Sequence, residues 1–178
     1  MMKFSIGSIC LIASTSISLV AADAAAVQAQ IAVIGNYTTL LQSDVNNFNG
    51  SIPGLPWALQ VQQDAVNLYR QVEQGTSLAN ASSNFGEPGS LNVASALLGI
   101  TGKVKDSLNA VAAKASTFDD LGPLVLGSLY QLKASTDSFG NAIVAKFAPL
   151  EKSVAPSVQK DLDNSFNNAI MAYGGNPA

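Results

Sequence analysis

Three threonines stand in apolar stripes where a helix would ordinarily bury aliphatic side chains. Thr38, Thr101 and Thr136 each interrupt a run in which apolar residues recur every three or four positions. A threonine hydroxyl in such a stripe can donate to the carbonyl oxygen one turn earlier and then pack as a small apolar residue. Alternatively, the hydroxyls, with Tyr37 or Tyr130, bind the polar end of a lipid whose chain lies among the aliphatic side chains. The sequence leaves both interpretations open.

The threonines belong to separate segments whose apolar residues alternate in spacing between four and three. Such alternation is typical of helices that pack lengthwise against partners. It runs through residues 23–49, through a segment capped by Ser90, and through one capped by Asp119 or Asp120. From these stripes we predict that the following residues line an interior lipid site: Ile34, Thr38, Leu41, Phe48, Leu97, Thr101, Val104, Leu108, Leu129, Thr136, Phe139 and Ile143.

Two further segments complete the predicted fold. One runs from Pro56 to Gly75, followed by a Gly-, Ser- and Asn-rich stretch at 75–90 that predicts a loop. The other follows Pro149 and Pro156, so that every proline after residue 22 would stand at a segment border. No stretch alternates with the period of two that a strand requires. We therefore predict an all-α fold, an antiparallel bundle of four to five long amphipathic helices.

The first 22 residues have the features of a secretory signal peptide. Met1-Met2-Lys3 is basic, no charge follows from Phe4 to Val20, and small residues precede a cleavage site after Ala22. The segment contains several serines, which makes it a poor membrane-spanning helix. We predict that residues 23–178 form one mature domain with no stable transmembrane segment. Cleavage also removes Cys10, the only cysteine, so the domain would have no disulfide.

The residues required for most catalytic chemistry are missing. The chain has no histidine, and the predicted mature domain has no cysteine, which excludes Ser-His-Asp and Cys-His nucleophiles and zinc sites built on those ligands. A calcium-loop-like start at Asp161 fails because Phe166 stands where glycine is needed. The remaining acids are expected on solvated outer faces. We predict no enzyme activity, no metal and no cofactor. The net charge of −3 offers nothing to nucleic acid.

The surface is expected to be unusually poor in charge. Charged residues make up 12% of the chain, against about 25% in ordinary soluble domains. Leu55 and Trp57, on a predicted turn, are candidates for contact with an apolar surface. Three sequons, at Asn36, Asn49 and Asn80, predict glycosylation at exposed positions.

Several segments resemble a known family. They are "ADAAAVQAQIAVIGNYTTLLQSDVNNFNG", "LNVASALLGITGKVKDSLNAV" and "LYQLKASTDSFGNAIVAKF". Over residues 23–173 the chain resembles the fungal hydrophobic surface-binding protein A family, which includes the lipid-binding domains of antigenic cell-wall galactomannoproteins. The resemblance implies a secreted or wall-associated, non-catalytic helical protein. Members adsorb to hydrophobic surfaces and can recruit polymer-degrading esterases, and the galactomannoprotein relatives bind long-chain fatty acids between their helices.

Two functional interpretations follow. In the first, the chain is a secreted binder of hydrophobic surfaces, long-chain fatty acids or other lipids, either holding one lipid in a closed bundle or opening its seams onto a surface. In the second, it is a structural or antigenic cell-wall protein with a dry core and no lipid ligand. The chain has no Ser/Thr-rich stalk and no hydrophobic tail, so we expect release into the medium instead of covalent attachment to the wall.

Overall fold

Five long helices make up most of the molecule. The structure, a computed structural model, describes residues 15–177. The predicted signal peptide lies outside the described residues up to position 14. Within the described range no strand is present, which confirms the all-α prediction. The helices are α1 (Thr15–Asn47), α2 (Ser51–Ala81), α3 (Gly86–Ala113), the short α4 (Ala115–Phe118), α5 (Gly122–Lys146) and α6 (Pro149–Ala172), with a 3-10 turn at Asp119–Leu121 before α5.

The predicted loop at 75–90 is wrong for most of its length, because α2 continues to Ala81 and α3 begins at Gly86. Gly75 looked like a turn former, but it is buried where α2 packs closely on α5. A Cβ added there would lie 2.8 Å from the ring atom Cε2 of Phe139. Ser90 does not cap α3 either. It lies inside the helix, and its Oγ accepts a hydrogen bond from the backbone N–H of Ala148 at 2.8 Å.

Two prolines lie inside helices, contrary to the prediction that all stand at borders. Pro56 is in α2 and Pro156 is in α6. A proline removes one intrahelical hydrogen bond, and because both residues are exposed, water can reach this part of each helix. The predicted aspartate caps of α5 are also wrong. The capping residue is Leu121, and Asp119 lies in the preceding turn with a φ of 42°.

The five long helices form a closed ring. Each contacts two neighbours, in the order α1, α2, α5, α6, α3 and back to α1. Long helices that follow each other in the chain run antiparallel. In a ring of five helices the direction cannot alternate at every contact, and the neighbouring pairs α1/α3, α2/α5 and α3/α6 are parallel. Three hydrogen bonds join the matching ends of these pairs: Lys114 Nζ to Phe48 O (2.7 Å), Lys146 Nζ to Ser82 O (2.6 Å) and Tyr173 Oη to Val111 O (2.9 Å).

Aromatic pairs close the two ends of the ring. At one end Phe48 stacks on Phe118, with ring centroids 4.3 Å apart. At the other, Phe85 meets Phe147 edge to face at 6.1 Å. All four rings are buried. The space between the two pairs is therefore screened from water at both ends, and two cavities lie in it.

Candidate functional site: an apolar cavity

An apolar cavity of about 130 Å³ lies inside the ring. All five long helices contribute to its wall, together with Phe147 at one end. Most of the lining residues are aliphatic or aromatic. Besides the predicted residues, it includes a set that the sequence analysis did not assign to a site: Leu68, Val72, Ala94, Leu98, Ile100, Leu132, Asp137, Gly140, Val144, Phe147, Glu151, Val154, Ala155, Val158, Gln159 and Leu162.

The predicted site residues divide into three groups. Seven line this cavity: Ile34, Thr38, Leu97, Thr101, Val104, Thr136 and Phe139. Leu41, Leu108 and Leu129 line a second cavity of about 50 Å³, nearer the Phe48–Phe118 end. Phe48 and Ile143 line neither cavity. Phe48 stacks on Phe118, and the Ile143 side chain is fully buried in the core.

The wall that α6 provides was not predicted from the sequence. Glu151, Val154, Ala155, Val158 and Leu162 all line the cavity from this helix. Its stripe through Val158 and Leu162 has helical spacing, so a signal was present. What the spacing could not give was the position of α6 in the ring, between α3 and α5.

Two of the three threonine hydroxyls bond within their own helices. Thr38 Oγ1 donates to the carbonyl of Ile34 at 2.9 Å, and Thr101 Oγ1 donates to that of Leu97 at 2.8 Å. The local-bonding interpretation therefore accounts for both. For Thr136 no such bond is found among the described residues. Tyr37 and Tyr130 do not line the cavity, and the Tyr130 hydroxyl donates to the carbonyl of Asn176 at 2.8 Å.

The cavity opens to solvent between α3 and α6. Leu98 of α3 and Val154 of α6 line it and yet are 60% and 56% exposed. Leu91 lies two turns before Leu98 on the same face, and Leu150 lies one turn before Val154. Both are also exposed. We call these four residues the apolar rim. Large apolar side chains grouped this way around an opening are unusual on a soluble surface and typical of a binding site.

Polar groups in the lining are few, and most have partners. Asp137 pairs with Lys133 Nζ at 2.9 Å, and the same ammonium contacts Asp163 at 2.9 Å. Burial lowers the pKa of Lys133, but hydrogen bonds and charge attraction from the two carboxylates outweigh burial and raise it. Gln159 Nε2 donates to Asn141 Oδ1 at 3.2 Å. Asp137 is the only charged residue that α5 contributes to the lining, and its carboxylate is paired with Lys133.

Glu151 differs from these groups. Its residue is 7% exposed, and Oε2 has no hydrogen-bond partner in the part of the chain that the structure describes. The expectation that acidic residues lie on solvated outer faces is therefore wrong here. It is also wrong for Asp64 of α2, which is buried beside Asp44 of α1. Burial first, then a hydrogen bond and charge repulsion from Asp64, raise the pKa of Asp44 to about 6.

Comparison with known proteins identifies the family. A family model described as hydrophobic surface binding protein A matches residues 24–145, which is well over half of the chain. The chain belongs to the hydrophobic surface binding protein A family. No protein among the curated sequences matches it.

Solved structures similar to this family member have lipids bound. Afmp4p, whose crystal structure is a complex with palmitic acid, is 30% identical, with a TM-score of 0.80 over 84% of this chain and 99% of Afmp4p. Ligand binding domain 1 of the Penicillium marneffei MP1 protein, complexed with arachidonic acids, is 14% identical, with a TM-score of 0.78 over 85% and 98%. Domain 2 of MP1, complexed with multiple arachidonic acids, is 12% identical, with a TM-score of 0.74 over 93% and 99%. At these identities the MP1 domains show the shared fold alone.

Leu55 and Trp57 of this family member lie in the first turns of α2, outside the cavity lining. They are 47% and 42% exposed, and Leu59 beside them is 72% exposed. This second apolar patch is at the Phe48–Phe118 end, whereas the apolar rim is near the opposite end. That Leu55 and Trp57 contact an apolar surface stays a prediction.

The three predicted glycosylation sites lie at the surface of this family member. Asn36, Asn49 and Asn80 are exposed, although Asn80 is in the last turn of α2 and not in a loop. Over the described residues, no group of three or more acidic, cysteine or histidine side chains is arranged to hold a metal ion. None of the helices described has the length and hydrophobicity to cross a membrane.

Proposed function

We propose that this protein binds the alkyl chain of a long-chain fatty acid in the cavity inside its helical ring, and uses the apolar rim to exchange that chain with a hydrophobic surface. The observation that carries the proposal is the apolar cavity of about 130 Å³ that opens between Leu98 and Val154. The complex of the 30% identical Afmp4p with palmitic acid supports it. A wall protein with a dry core would have no need of such a cavity.

The size of the cavity sets how the lipid is held. An engineered apolar cavity of about 150 Å³ accepts one benzene molecule, so this cavity, as it stands, has room for only part of a sixteen-carbon chain. Each methylene buried there stabilises the complex by about 0.8 kcal/mol. The rest of the chain must either separate α3 from α6 or lie along the opening against the apolar rim. In either arrangement the alkyl chain contacts the apolar rim, whose four side chains are all aliphatic.

The same rim serves contact with a surface. Few charged groups need to be desolvated when such a face meets an apolar phase, and the exposed side chains of Leu91 and Leu150 extend the apolar area beyond the opening. A protein docked by its rim would hold the mouth of the cavity against the surface. Uptake of a lipid and adsorption are then two results of one geometry.

We infer that residues 1–22 are removed on secretion, that the protein is non-catalytic and acts outside the cell or in association with the wall, and that it can recruit a secreted esterase to the surface it binds. The match to the hydrophobic surface binding protein A family supports these inferences. Mass spectrometry of the N-terminus of the secreted protein tests removal of residues 1–22. Mass spectrometry of its glycans tests the predicted use of the sequons. Assays on ester substrates test the absence of catalysis, and co-adsorption of an esterase to polyester beads tests recruitment.

Binding is tested by titrating the purified protein with a fluorescent long-chain fatty acid and displacing the probe with palmitic acid. We expect saturation at a fixed stoichiometry. Adsorption is measured as loss of protein onto hydrophobic beads. We compare two double variants. One changes the apolar rim (Leu98→Ser and Val154→Ser), and the other changes the second patch (Leu55→Ser and Leu59→Ser). Weaker adsorption of the rim variant alone supports the proposal. Weaker adsorption of the second variant alone would transfer surface contact to Leu55 and Trp57. No saturable uptake would refute lipid binding.

A further inference from the structure

Glu151 is a buried carboxyl group in a lining that is mostly apolar. The residue is 7% exposed, it lines the cavity, and its Oε2 has no hydrogen-bond partner among the described residues. Burying a carboxyl oxygen without a hydrogen-bond partner is costly, and native proteins leave few such atoms unexplained.

A structural role as a helix cap does not account for it. Glu151 is the third residue of α6, the position from which a glutamate usually accepts a hydrogen bond from the N–H of the capping residue. That capping residue is Ala148, and its N–H is already donated to Ser90 Oγ at 2.8 Å. The carboxyl group therefore makes no capping hydrogen bond at the end of its own helix.

Among the residues that the structure describes, no basic side chain forms an ion pair with Glu151 either. The lining contains no lysine or arginine, and its one other titratable group is Asp137, which is held by Lys133 at 2.9 Å. At the end of α5, the Lys146 ammonium donates to the carbonyls of Asn80 and Ser82. On α3, the acidic residue of the first turn, Glu87, is exposed. None of these groups neutralises a charge on Glu151.

We propose that Glu151 is the residue that recognises the polar end of the bound lipid, and that it selects lipids whose polar end donates a hydrogen bond. This inference rests on the proposed function, because it assigns the head-group contact of the same cavity. A fatty alcohol meets the requirement at any pH. A fatty acid meets it only as the neutral acid, with one proton shared between its carboxyl group and that of Glu151.

The chemistry requires proton uptake when a fatty acid binds. The carboxyl group of a fatty acid free in water has an ordinary pKa of about 4, so the ligand is ionised at pH 7 before it binds. Two carboxylates cannot both stay ionised at close range in an apolar site, and one of them takes a proton from solvent. If one proton is bound per lipid, the dissociation constant rises about tenfold for each pH unit. A fatty alcohol binds with no proton and no such dependence.

The test uses dodecanoic acid and 1-dodecanol with the full chain. Isothermal titration calorimetry at pH 7 in two buffers of different ionisation enthalpy counts the protons taken up. We expect close to one proton per dodecanoic acid for the wild type, close to none for Glu151→Gln, and none for dodecanol with either protein. Between pH 6 and pH 8 the wild type should lose about 100-fold in affinity for the acid, and Glu151→Gln less than threefold. Glu87→Gln, an exposed carboxyl in the first turn of α3, is the matched control and should behave as the wild type.

The outcomes separate the two proposals. Equal proton uptake by the wild type and Glu151→Gln overturns the head-group role and leaves lipid binding intact. If neither lipid binds the wild type, the proposed function itself fails. If Glu151→Gln does not fold, the wild type alone still decides, because uptake of no proton with dodecanoic acid overturns the inference.

Discussion

Filling the cavity from Ala94 is the sharpest perturbation that the structure offers. Ala94 of α3 lines the cavity and is partly buried against the core. The Ala94→Phe variant directs a phenyl ring into a space of about 130 Å³, and a comparable engineered cavity of about 150 Å³ is filled by one benzene molecule. The ring should therefore occupy nearly all of the room available to a lipid chain.

The expected cost to binding follows from the methylenes that the ring displaces. A phenyl ring takes the place of about four methylenes at ~0.8 kcal/mol each, or roughly 3 kcal/mol, which is about a 100-fold rise in the dissociation constant. Stability should be unchanged or higher. Filling the void is worth up to about 3 kcal/mol at ~24 cal/mol per Å³, against about 1–3 kcal/mol of strain from overpacking.

The assay is displacement of a fluorescent fatty acid by palmitic acid, with thermal unfolding of the same samples. Ala145→Phe is the control, because Ala145 is exposed on α5 and does not line the cavity. It should bind palmitic acid as the wild type does. If Ala94→Phe folds normally and keeps full affinity, lipids bind elsewhere and the reasoning is refuted.

Three further predictions concern stability. Because the pKa of Asp44 is raised from 3.8 to about 6, the folded state binds more protons than the unfolded state between these values, and the stability of the fold should fall as pH rises through this window. Each pKa unit corresponds to about 1.4 kcal/mol, but Asp44 is partly exposed, which reduces the effect. In urea unfolding we therefore expect Asp44→Asn to raise the free energy of unfolding by only about 1 kcal/mol at pH 7.5 and not at all at pH 3.5. Equal gains at both pH values would show that the charge of Asp44 does not lower the stability of the fold. Gly75→Ala should destabilise by about 1–3 kcal/mol, because the new Cβ would lie 2.8 Å from the Phe139 ring; an unchanged melting temperature would contradict this close packing. Gly99→Ala should instead stabilise by about 0.5–1 kcal/mol, since a Cβ there meets nothing within 4 Å, and a loss of stability in thermal melts would contradict its outward position.

The helices were predictable because their burial leaves a periodic trace. Stripes such as Val27, Ile31 and Ile34, all buried, recur at helical spacing whatever the helices pack against. The error at Gly75 has the opposite cause. Glycine serves turns and close helix contacts alike, and only the position of Phe139 on another helix distinguishes the two.

The candidate site was predictable only in part. Stripes on α1, α3 and α5 point inward, so seven of the predicted residues reach the large cavity. The order of helices around the ring has no local signal, and without it neither the α6 wall nor the opening between Leu98 and Val154 could be assigned. Glu151 is the extreme case, because a lone acid in a polar stretch looks like a solvated charge until its neighbours are known.

The most direct test of the account is a crystal structure of the protein with a fatty acid brominated near the end of its chain, in which the anomalous signal locates the bromine. We predict bromine inside the ring, among Ile34, Leu97 and Phe139, with the chain leaving between α3 and α6. Bromine found only against Leu55 and Trp57, or nowhere on the protein, would contradict the claim that the cavity receives the alkyl chain.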